Sequence, residues 1–445
     1  MALSGLAIFK LLPKTNCKEC GHPTCLAFAM ALAQKKVGLD ACPHASDEAR
    51  EQLAAAAAPP MQTVTFGVGD AACTVGGETV LFRHEEKFHR PTALAVTLPD
   101  DLDGPALEAR CQRIRGFAFE RIGQAMPVEA VAVTNPSGDA VRFAAATEAA
   151  GATGKAVILV TQDAEAARGA LAKVGAAKPL LCGATPETAD AMAAAAAEAG
   201  CPIVAQAADA ETLADLTQTL KTAGCDQIVL HLDAADAWTE MAGLYRIRTL
   251  ALKQSCQPLG HPVIALATEG NPEAQAVRAS SLVCKYAAIV VVDTVEPWAL
   301  LPILTTRQNI YTDPQKPVQV EPKLHAVGDP GADSPLMFTT NFSLTYYTVQ
   351  GDVEASRVPS WILCVDTEGT SVLTAYSGDK LSAESVAKAM KDADVESRVS
   401  HRKLIIPGYV AVMSGKLQEE TGWDVLVGPR ESNQIPRYLK EVWKA

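Results

Sequence analysis

Four cysteines with metal-binding spacing lie near the start of this 445-residue chain. They follow the pattern C-x2-C-x4-C-x16-C, and the fourth is followed by proline. Four thiolates can hold one zinc ion or one [4Fe–4S] cube. Zinc usually takes two tight CxxC pairs, whereas a Cys-Pro at a distant fourth ligand is typical of ferredoxins. The pattern favours the cube over zinc, with purely structural cysteines or disulfides as a third alternative; the candidate ligands are Cys17, Cys20, Cys25 and Cys42.

The remaining cysteines and the histidines offer less chemistry. The other eight cysteines are scattered singly, and isolated cysteines of this kind are usually small buried hydrophobes. His22 and His44 flank the cysteine motif, where we expect exposed loop positions. The sequence contains no HExxH zinc motif, no GxGxxG dinucleotide motif and no Walker phosphate loop. The cysteine motif therefore remains the main candidate for chemistry. If its four cysteines hold a single [4Fe–4S] cube, that cube indicates a one-electron, low-potential redox role.

A second candidate site follows an apolar run near the end of the chain. The run WILCVD (361–366) predicts a strand, and it leads into the small and hydroxyl residues of EGTSVLTAYSGDKLS (368–382). Open parallel sheets bind ligands at the carboxyl ends of their strands. The segment is thus a weak pointer to a cofactor site, and an ordinary strand–loop–helix connection is the more common alternative.

A regular alternation of apolar runs and helices fills the middle of the chain. Near-continuous apolar strands separated by helices indicate a parallel sheet. Eight such units in about 200 residues favour a (β/α)8 TIM barrel over a doubly wound open sheet. The predicted strands are 92–98, 128–134, 155–161, 178–183, 201–206, 226–233, 262–268 and 287–294.

Proline-rich stretches divide the chain into three predicted domains. Residues 1–58 end in an alanine run that Pro59 and Pro60 stop, which predicts a helix end followed by a linker. The runs 63–67 and 78–83 then predict a β-hairpin. Five prolines in 313–335 predict a linker without regular structure. A last α/β segment resembles a small flavodoxin-like parallel sheet. The predicted domains are 1–58 for the cluster, 59–320 for the barrel and 321–445 for the last segment.

Composition and charge exclude several classes of protein. The chain is 48% hydrophobic and 20% charged, which is typical of a globular protein. A net charge of -12 argues against a nucleic-acid surface. No apolar run is long enough to span a membrane, and the N-terminus lacks the pattern of a signal peptide. We therefore expect a cytoplasmic location.

Several motifs in one order resemble a known family. Besides the cysteine motif, they are FRHEEKFHRPTALAV (82–96), MFTTNFSLTYYTVQGDVEAS (337–356), EGTSVLTAYSGDKL (368–381) and GPRESNQIPRYL (428–439). Together they resemble the large (gamma) subunits of the corrinoid/iron–sulfur protein of the reductive acetyl-CoA (Wood–Ljungdahl) pathway, and the bacterial form more than the archaeal one. The resemblance covers essentially the whole chain.

The resemblance implies two cofactors and the residues that hold them. It implies a [4Fe–4S] domain, a TIM barrel and a C-terminal corrinoid domain, with the four cysteines as cluster ligands. DxHxxG, the motif that supplies a histidine ligand to cobalt in many cobalamin domains, is absent. The family binds its cobamide base-off without such a ligand. The implied corrinoid contacts are Thr340, Tyr346, Thr370, Ser371, Val372, Leu373 and Asn433.

The implied function is that of a methyl carrier. Corrinoid cobalt(I) would accept a methyl group from methyltetrahydrofolate through a methyltransferase and pass it to acetyl-CoA synthase/CO dehydrogenase, while the cluster reactivates cobalt(II). The implied direct partner is the small subunit, in a heterodimer. The chain would supply no catalytic residue, so Asp233, Glu269 and Asp293 at the barrel mouth read as structural. The alternatives are an iron–sulfur electron-transfer subunit of a barrel enzyme without corrinoid, and a zinc-stabilised structural subunit.

Overall fold

The computed structural model describes residues 5–33, 37–46 and 59–443. The chain divides into two compact units, Met1–Phe119 with Pro127–Tyr311, and Glu120–Met126 with Thr312–Ala445. The predicted helix end at 51–58 lies outside the described residues. Among the described residues, no helix has the length and apolarity needed to cross a membrane.

Two short helices form the N-terminal part of the first unit. Gly5–Leu11 and Cys25–Ala33 pack together and bracket the loop that carries the first cysteines. A 3-10 turn, Leu39–Ala41, precedes Cys42. Their shared core is small, and two of the four cysteines belong to it; its buried residues are Ile8, Leu12, Cys25, Phe28, Ala29, Cys42 and Ala45.

The hairpin that precedes the barrel uses a different second strand from the predicted one. Strand β1 (Thr63–Phe66) pairs antiparallel with β2 (Cys73–Gly76), so the prediction of a strand over 78–83 is wrong. Side chains bind two backbone carbonyls of this segment instead: Arg248 donates to the Val80 carbonyl and Tyr286 donates to the Leu81 carbonyl. The alternation of apolar residues over 78–83 could not reveal that side-chain hydrogen bonds replace strand pairing there.

The eight predicted barrel strands all form, and they close into a parallel barrel. The prediction of a TIM barrel is confirmed, and the open-sheet alternative is wrong. Alternate residues of the runs fill the interior, mostly with Ala, Val, Ile and Leu. The strands are β3 Ala93–Pro99, β6 Ala130–Thr134, β7 Ala156–Val160, β8 Leu180–Ala184, β9 Ile203–Ala207, β10 Ile228–Leu232, β11 Val263–Leu266 and β12 Ala287–Val292. Between β3 and β6 the chain forms a short antiparallel hairpin of two strands with two residues each, β4 (Glu120–Arg121) and β5 (Gln124–Ala125). This hairpin belongs to the second unit.

Most helices of the barrel begin at a polar cap. Aspartate side chains accept hydrogen bonds from free N–H groups of the first turn at five helix starts, and Asn271 does so at a sixth. These caps fix where six of the eight strand–helix loops end. The barrel helices are Gly104–Gly116, Ala140–Gly151, Ala164–Val174, Ala189–Ala199, Ala210–Thr222, Ala237–Gln254, Pro272–Cys284 and Pro297–Tyr311.

The second unit is built on a five-stranded sheet. Its strands are β13 Leu324–Val327, β14 Leu336–Thr340, β15 Ser360–Val365, β16 Lys403–Ile406 and β17 Asp424–Val427. They lie in the order β13-β15-β14-β16-β17. The last four of these are mutually parallel, which confirms the predicted parallel α/β class, and β13 is an antiparallel edge.

The prediction of a linker without regular structure over 313–335 is wrong, because β13 lies inside it. An edge strand needs few ladder hydrogen bonds, so prolines such as Pro322 and Pro330 can stand just outside its ends. Sequence reasoning also missed the central strand β14. The helices around the sheet are Ser343–Ser356, Val372–Ser377, Ala383–Asp392, Val395–Arg398, Ser414–Thr421 and Ile435–Glu441, with 3-10 turns at Gly408–Met413 and Ser432–Gln434.

Candidate functional site

The loop that carries the first cysteines has an unusual backbone. Lys14, Asn16, Lys18 and Gly21 have φ values of 58°, 51°, 67° and 78°. Left-handed residues interspersed with ordinary ones turn backbone N–H groups toward a common concave side, and such nests bind anions and Fe–S clusters. The Asn16 N–H donates to Cys25 Sγ at 3.4 Å, and Asn16 Oδ1 accepts from the Cys25 N–H at 2.8 Å. The loop is therefore held against the start of the second helix.

The four predicted cluster cysteines differ in exposure. Cys25 and Cys42 are buried in the small core, Cys20 is half-buried and Cys17 is exposed. Within residues 5–33 and 37–46, no three of their sulfur atoms lie within 4.8 Å of one another. One tetrahedral zinc would need sulfurs about 3.8 Å apart, given Zn–S bonds of about 2.3 Å. A cube holds its cysteine sulfurs further apart because four irons separate them, so the described spacing argues against a preformed zinc site and does not conflict with the larger group.

Two polar side chains stand beside the exposed cysteine. His44 Nε2 and Glu19 Oε2 are 3.0 Å apart, and one ligand atom from each of these side chains lies within 4.8 Å of Cys17 Sγ. His44 is exposed, as expected from the sequence. His22 is instead half-buried, with its ring 5.6 Å from that of Phe28. The Glu19–His44 contact links the loop of the first two cysteines to the segment that carries the fourth.

A cavity of about 400 Å³ opens at the carboxyl edge of the C-terminal sheet. It lies between β14 and β16, which pair at one position, Met337 with Ile405. By contrast, β14 pairs with β15 over five residues and β16 with β17 over four. The order of the parallel strands changes direction between β14 and β16, and such switch points are the usual ligand sites of open α/β sheets.

The cavity has apolar walls and several hydroxyl groups. Thr339 lines it, is 1% exposed, and has an Oγ1 without a hydrogen-bond partner among the described residues. Leaving a buried hydroxyl unpaired costs about 1–3 kcal/mol. Such a group is expected where a polar ligand completes the site. The hydroxyl-bearing lining residues are Thr339, Thr345, Thr348, Ser371, Tyr409, Ser432 and Tyr438.

The structure brings together part of the predicted corrinoid set. Ser371, Val372 and Leu373 line the cavity, whereas Thr340, Tyr346, Thr370 and Asn433 do not. Thr340, at the end of β14, is buried and its Oγ1 also lacks a partner among the described residues. Thr370 Oγ1 donates to the Thr367 carbonyl at 2.7 Å. Asn433 is exposed beside the lining residue Ser432.

Tyr346 is buried next to a histidine. Its ring centroid lies 4.8 Å from that of His325 and 5.1 Å from that of Tyr347. Burial raises the pKa of the Tyr346 phenol, with a smaller contribution from Cys364. The phenol therefore stays neutral and can act as a hydrogen-bond donor at physiological pH.

A buried asparagine that the sequence did not single out holds the loop of the second candidate site. Asn341 Oδ1 accepts from the N–H groups of Thr367 and Gly369 at 3.0 and 3.1 Å, and its Nδ2 donates to Asp366 at 3.0 Å. Together these bonds pin residues 366–369, which lead into Ser371. The position of Asn341 at the carboxyl end of β14 would have been a signal if that strand had been recognised.

The carboxylates at the barrel mouth have protein partners. Asp293 accepts from Arg110 Nη2 at 2.8 Å, and Asp233 accepts from Gln206 at 3.2 Å. Glu269 lies 3.4 Å from Arg278, which also pairs with the buried Glu240. These contacts favour the structural role expected for Asp233, Glu269 and Asp293.

Two family models match the chain. Residues 63–439 match "CO dehydrogenase/acetyl-CoA synthase delta subunit", and residues 12–44 match "Putative Fe-S cluster". The large subunit of the corrinoid/iron–sulfur protein of Moorella thermoacetica is 45% identical over 441 residues, covering 99% of each chain. The acetyl-CoA decarbonylase/synthase complex subunit gamma of Methanothermobacter thermautotrophicus is 39% identical, again covering 99% of each.

Among solved structures, dihydropteroate synthase from Thermus thermophilus aligns with a TM-score of 0.40 and 19% identity, over 56% of this chain and all of that one. The first family model names a delta subunit, whereas the relatives that match from end to end, including the cysteine segment, are large or gamma subunits. The end-to-end matches decide the subunit. The chain belongs to the family of corrinoid/iron–sulfur protein large subunits and acetyl-CoA decarbonylase/synthase gamma subunits.

Proposed function

We propose that this protein is a methyl carrier that holds a [4Fe–4S] cluster and a corrinoid at two separate places in one chain. The observation that carries the proposal is the coexistence of a cysteine loop with an anion-binding backbone and a cavity lined by an unpaired buried hydroxyl. When bound, the corrinoid supplies a nucleophilic metal that exchanges methyl groups, and the cluster supplies the single electrons that restore its active state.

Cys17, Cys20, Cys25 and Cys42 are the proposed cluster ligands. Cys25 and Cys42 are buried in the small core, which we expect to keep water from their side of the cluster. The Asn16 N–H donates to Cys25 Sγ, and such a bond stabilises a thiolate ligand. The exposed Cys17 leaves one edge of the site accessible to an external electron donor.

The corrinoid is proposed to bind at the cavity through Thr340, Tyr346, Thr370, Ser371, Val372, Leu373 and Asn433. Residues 371–373 line the cavity, and Asn341 fixes the turn before them. The lining residues that the structure describes include no histidine. We propose that the cobamide is held base-off, as the family resemblance implies.

The proposed partners follow from the same role. They are a small subunit in a heterodimer, a methyltransferase that uses methyltetrahydrofolate, and acetyl-CoA synthase/CO dehydrogenase. Two of the matched relatives are named as a subunit of the corrinoid/iron–sulfur protein and of the acetyl-CoA decarbonylase/synthase complex. The three domains 1–58, 59–320 and 321–445 and the cytoplasmic location are part of this proposal.

Transfer of a labelled methyl group tests the carrier role. The reduced holoprotein is mixed with methyltransferase and methyl-labelled methyltetrahydrofolate, and protein-bound label is measured after rapid gel filtration. We expect about one label per bound cobalt, and none without reduction. A cobalt-loaded, reduced protein that gains no label contradicts the proposal. A cobalt-free protein that still passes electrons to an acceptor selects the electron-transfer alternative.

A further inference from the structure

We propose that Arg430 binds the phosphodiester of the cobamide nucleotide tail, so that the cavity distinguishes a complete cobamide from cobinamide, which lacks that group. The inference rests on the proposed function, since it assigns one residue of the cavity to one part of the ligand. Neither Arg430 nor an anion-binding role is among the corrinoid contacts that the family resemblance implies.

Arg430 is the one cation among the described residues that line the cavity. It is exposed, and its guanidinium forms no hydrogen bond or ion pair with the described residues. An arginine on an open surface is commonly solvated, but here the side chain lies at the rim of a largely apolar space. A guanidinium at such a rim favours an anionic group on the ligand.

The only carboxylate among the described lining residues is directed elsewhere. Glu431 Oε1 accepts a hydrogen bond from the Tyr409 hydroxyl at 2.5 Å. That bond raises the pKa of Tyr409, so the phenol keeps its proton and continues to donate. Glu431 is thereby engaged by a neutral partner and forms no ion pair with the adjacent arginine.

The backbone that carries Arg430 is fixed against the neighbouring loop. The Gly408 N–H donates to the Pro429 carbonyl at 3.0 Å, and the Gly428 N–H donates to that of Ile406 at 2.9 Å. A Cβ on Gly408 would stand 2.6 Å from the Gly428 oxygen and 2.8 Å from the Arg430 nitrogen. Glycine is thus required for this close approach of the two loops. The approach in turn fixes the backbone position from which the Arg430 side chain extends.

The chemistry of the cavity matches a ligand portion that is uncharged except for one negatively charged group. Its walls are apolar, its hydroxyls suit amides, and the unpaired cation of its described lining suits one anion. A phosphodiester carries a single negative charge at neutral pH, and arginine binds phosphate oxygens through two parallel N–H groups. A cobamide has one phosphodiester between its corrin ring and its lower base. Cobinamide has the same ring but lacks that phosphodiester and the lower base.

Binding of the two corrinoids to corrinoid-free full-length protein tests the assignment. Equilibrium titration of cobalamin and of cobinamide is followed anaerobically by absorbance in the parental protein, Arg430→Gln and Arg430→Lys. Arg437→Gln is the matched control, because that arginine is exposed, pairs with Glu441 and does not line the cavity. We expect Arg430→Gln to weaken cobalamin binding by about tenfold to a hundredfold and to leave cobinamide unchanged.

Arg430→Lys is expected to keep part of the preference for cobalamin, and Arg437→Gln all of it. Unchanged cobinamide binding also reports that the variant is folded. Equal losses for both ligands, no loss for either, or a parental protein that binds both equally would overturn the role of Arg430 while leaving the carrier proposal intact. A parental protein that binds neither corrinoid would reject the carrier proposal itself.

Discussion

The cysteine loop and the C-terminal cavity are two sites built by opposite means. All four thiols of the loop come from residues 17–42, so their spacing alone suggests a metal site. The cavity takes its lining from between Met337 and Leu439, through the parallel strands β14 and β16 and the segments that follow all four parallel strands. A site that is local in sequence can be recognised by spacing, whereas one assembled by sheet topology cannot be recognised before the strand order is known.

The two sites should also fail differently. In the N-terminal module, formed by residues 5–33 and 37–46, two of the four candidate ligands, Cys25 and Cys42, are part of a small core. Losing either one removes both a bond to the cluster and a packing contact. At the cavity a sheet that packs against two apolar clusters carries the lining, so we expect single changes to alter affinity without removing the site. We therefore expect all-or-none effects in the first and graded effects in the second.

The largest expected effect is that of Cys25→Ser. Cys25 is buried, receives the Asn16 N–H bond, and begins the second helix. We expect iron and acid-labile sulfide to fall close to zero while bound cobalt stays at the parental level. The matched control is Cys284→Ser, an exposed cysteine of a barrel helix, which should keep both metals. Parental iron in Cys25→Ser would remove that thiol from the ligand set.

Removing the cluster should increase the protease sensitivity of the N-terminal module and of no other part of the chain. The module has few buried apolar residues, and domains below about 40 residues usually need a metal or disulfides to fold. After iron chelation we expect cleavage within residues 5–46 to become at least about tenfold faster in limited proteolysis. Cleavage in 321–443 should not change. Equal protection of the module with and without iron would contradict this difference between the two sites.

Gly408→Ala should produce a large but incomplete loss at the cavity. The added methyl would meet the Gly428 oxygen at 2.6 Å and displace the loop that carries Arg430. Overpacking of this kind costs about 1–3 kcal/mol, so cobalamin affinity should fall by about fivefold to a hundredfold. Gly415→Ala, where nothing lies within 4 Å of the new methyl, should keep parental affinity. Equal affinities in both variants would show that the loop position is unimportant.

The smallest effect is expected from Thr339→Val. Replacing an unpaired buried hydroxyl by a methyl should stabilise the corrinoid-free protein by about 1 kcal/mol in urea unfolding. It should weaken cobalamin binding about twofold to tenfold, because the ligand loses a donor or acceptor. Thr147→Val is the control: its hydroxyl is also buried without a partner among the described residues, but it lies in a barrel helix. A loss of affinity in Thr147→Val would mean that the effect is not local.

The barrel could be predicted from sequence because its strands are strongly apolar and its helices are regularly capped. The C-terminal strands β13 and β14 could not be predicted in this way. β13 stands among prolines that usually signal a linker. β14 ends in the polar residues Thr339 and Thr340 and is followed by Asn341, which suggests a loop. Those residues are buried because the sheet surrounds them. Missing β14 also hid Thr339, Asn341 and the divergence from β16 that opens the cavity.

The predicted corrinoid set shows the same limit. Ser371, Val372 and Leu373 follow a strand that the sequence revealed, and they line the cavity. Arg430 and Tyr409 follow β17 and β16 and were not singled out, because nothing in their local sequence distinguishes them from ordinary loop residues. Their proximity arises from the pairing of β16 with β17 and from the missing side chain of Gly408.

The central claim is that one chain carries two cofactors in two independent sites. Cobalt, iron and acid-labile sulfide, measured together in the anaerobically purified protein and in Cys25→Ser, test it most directly. We predict about four irons, four sulfides and one cobalt per parental chain, and the cobalt alone in the variant. Iron and sulfide without cobalt in the parental chain, zinc in their place, or joint loss of cobalt and iron in a folded variant would contradict the account.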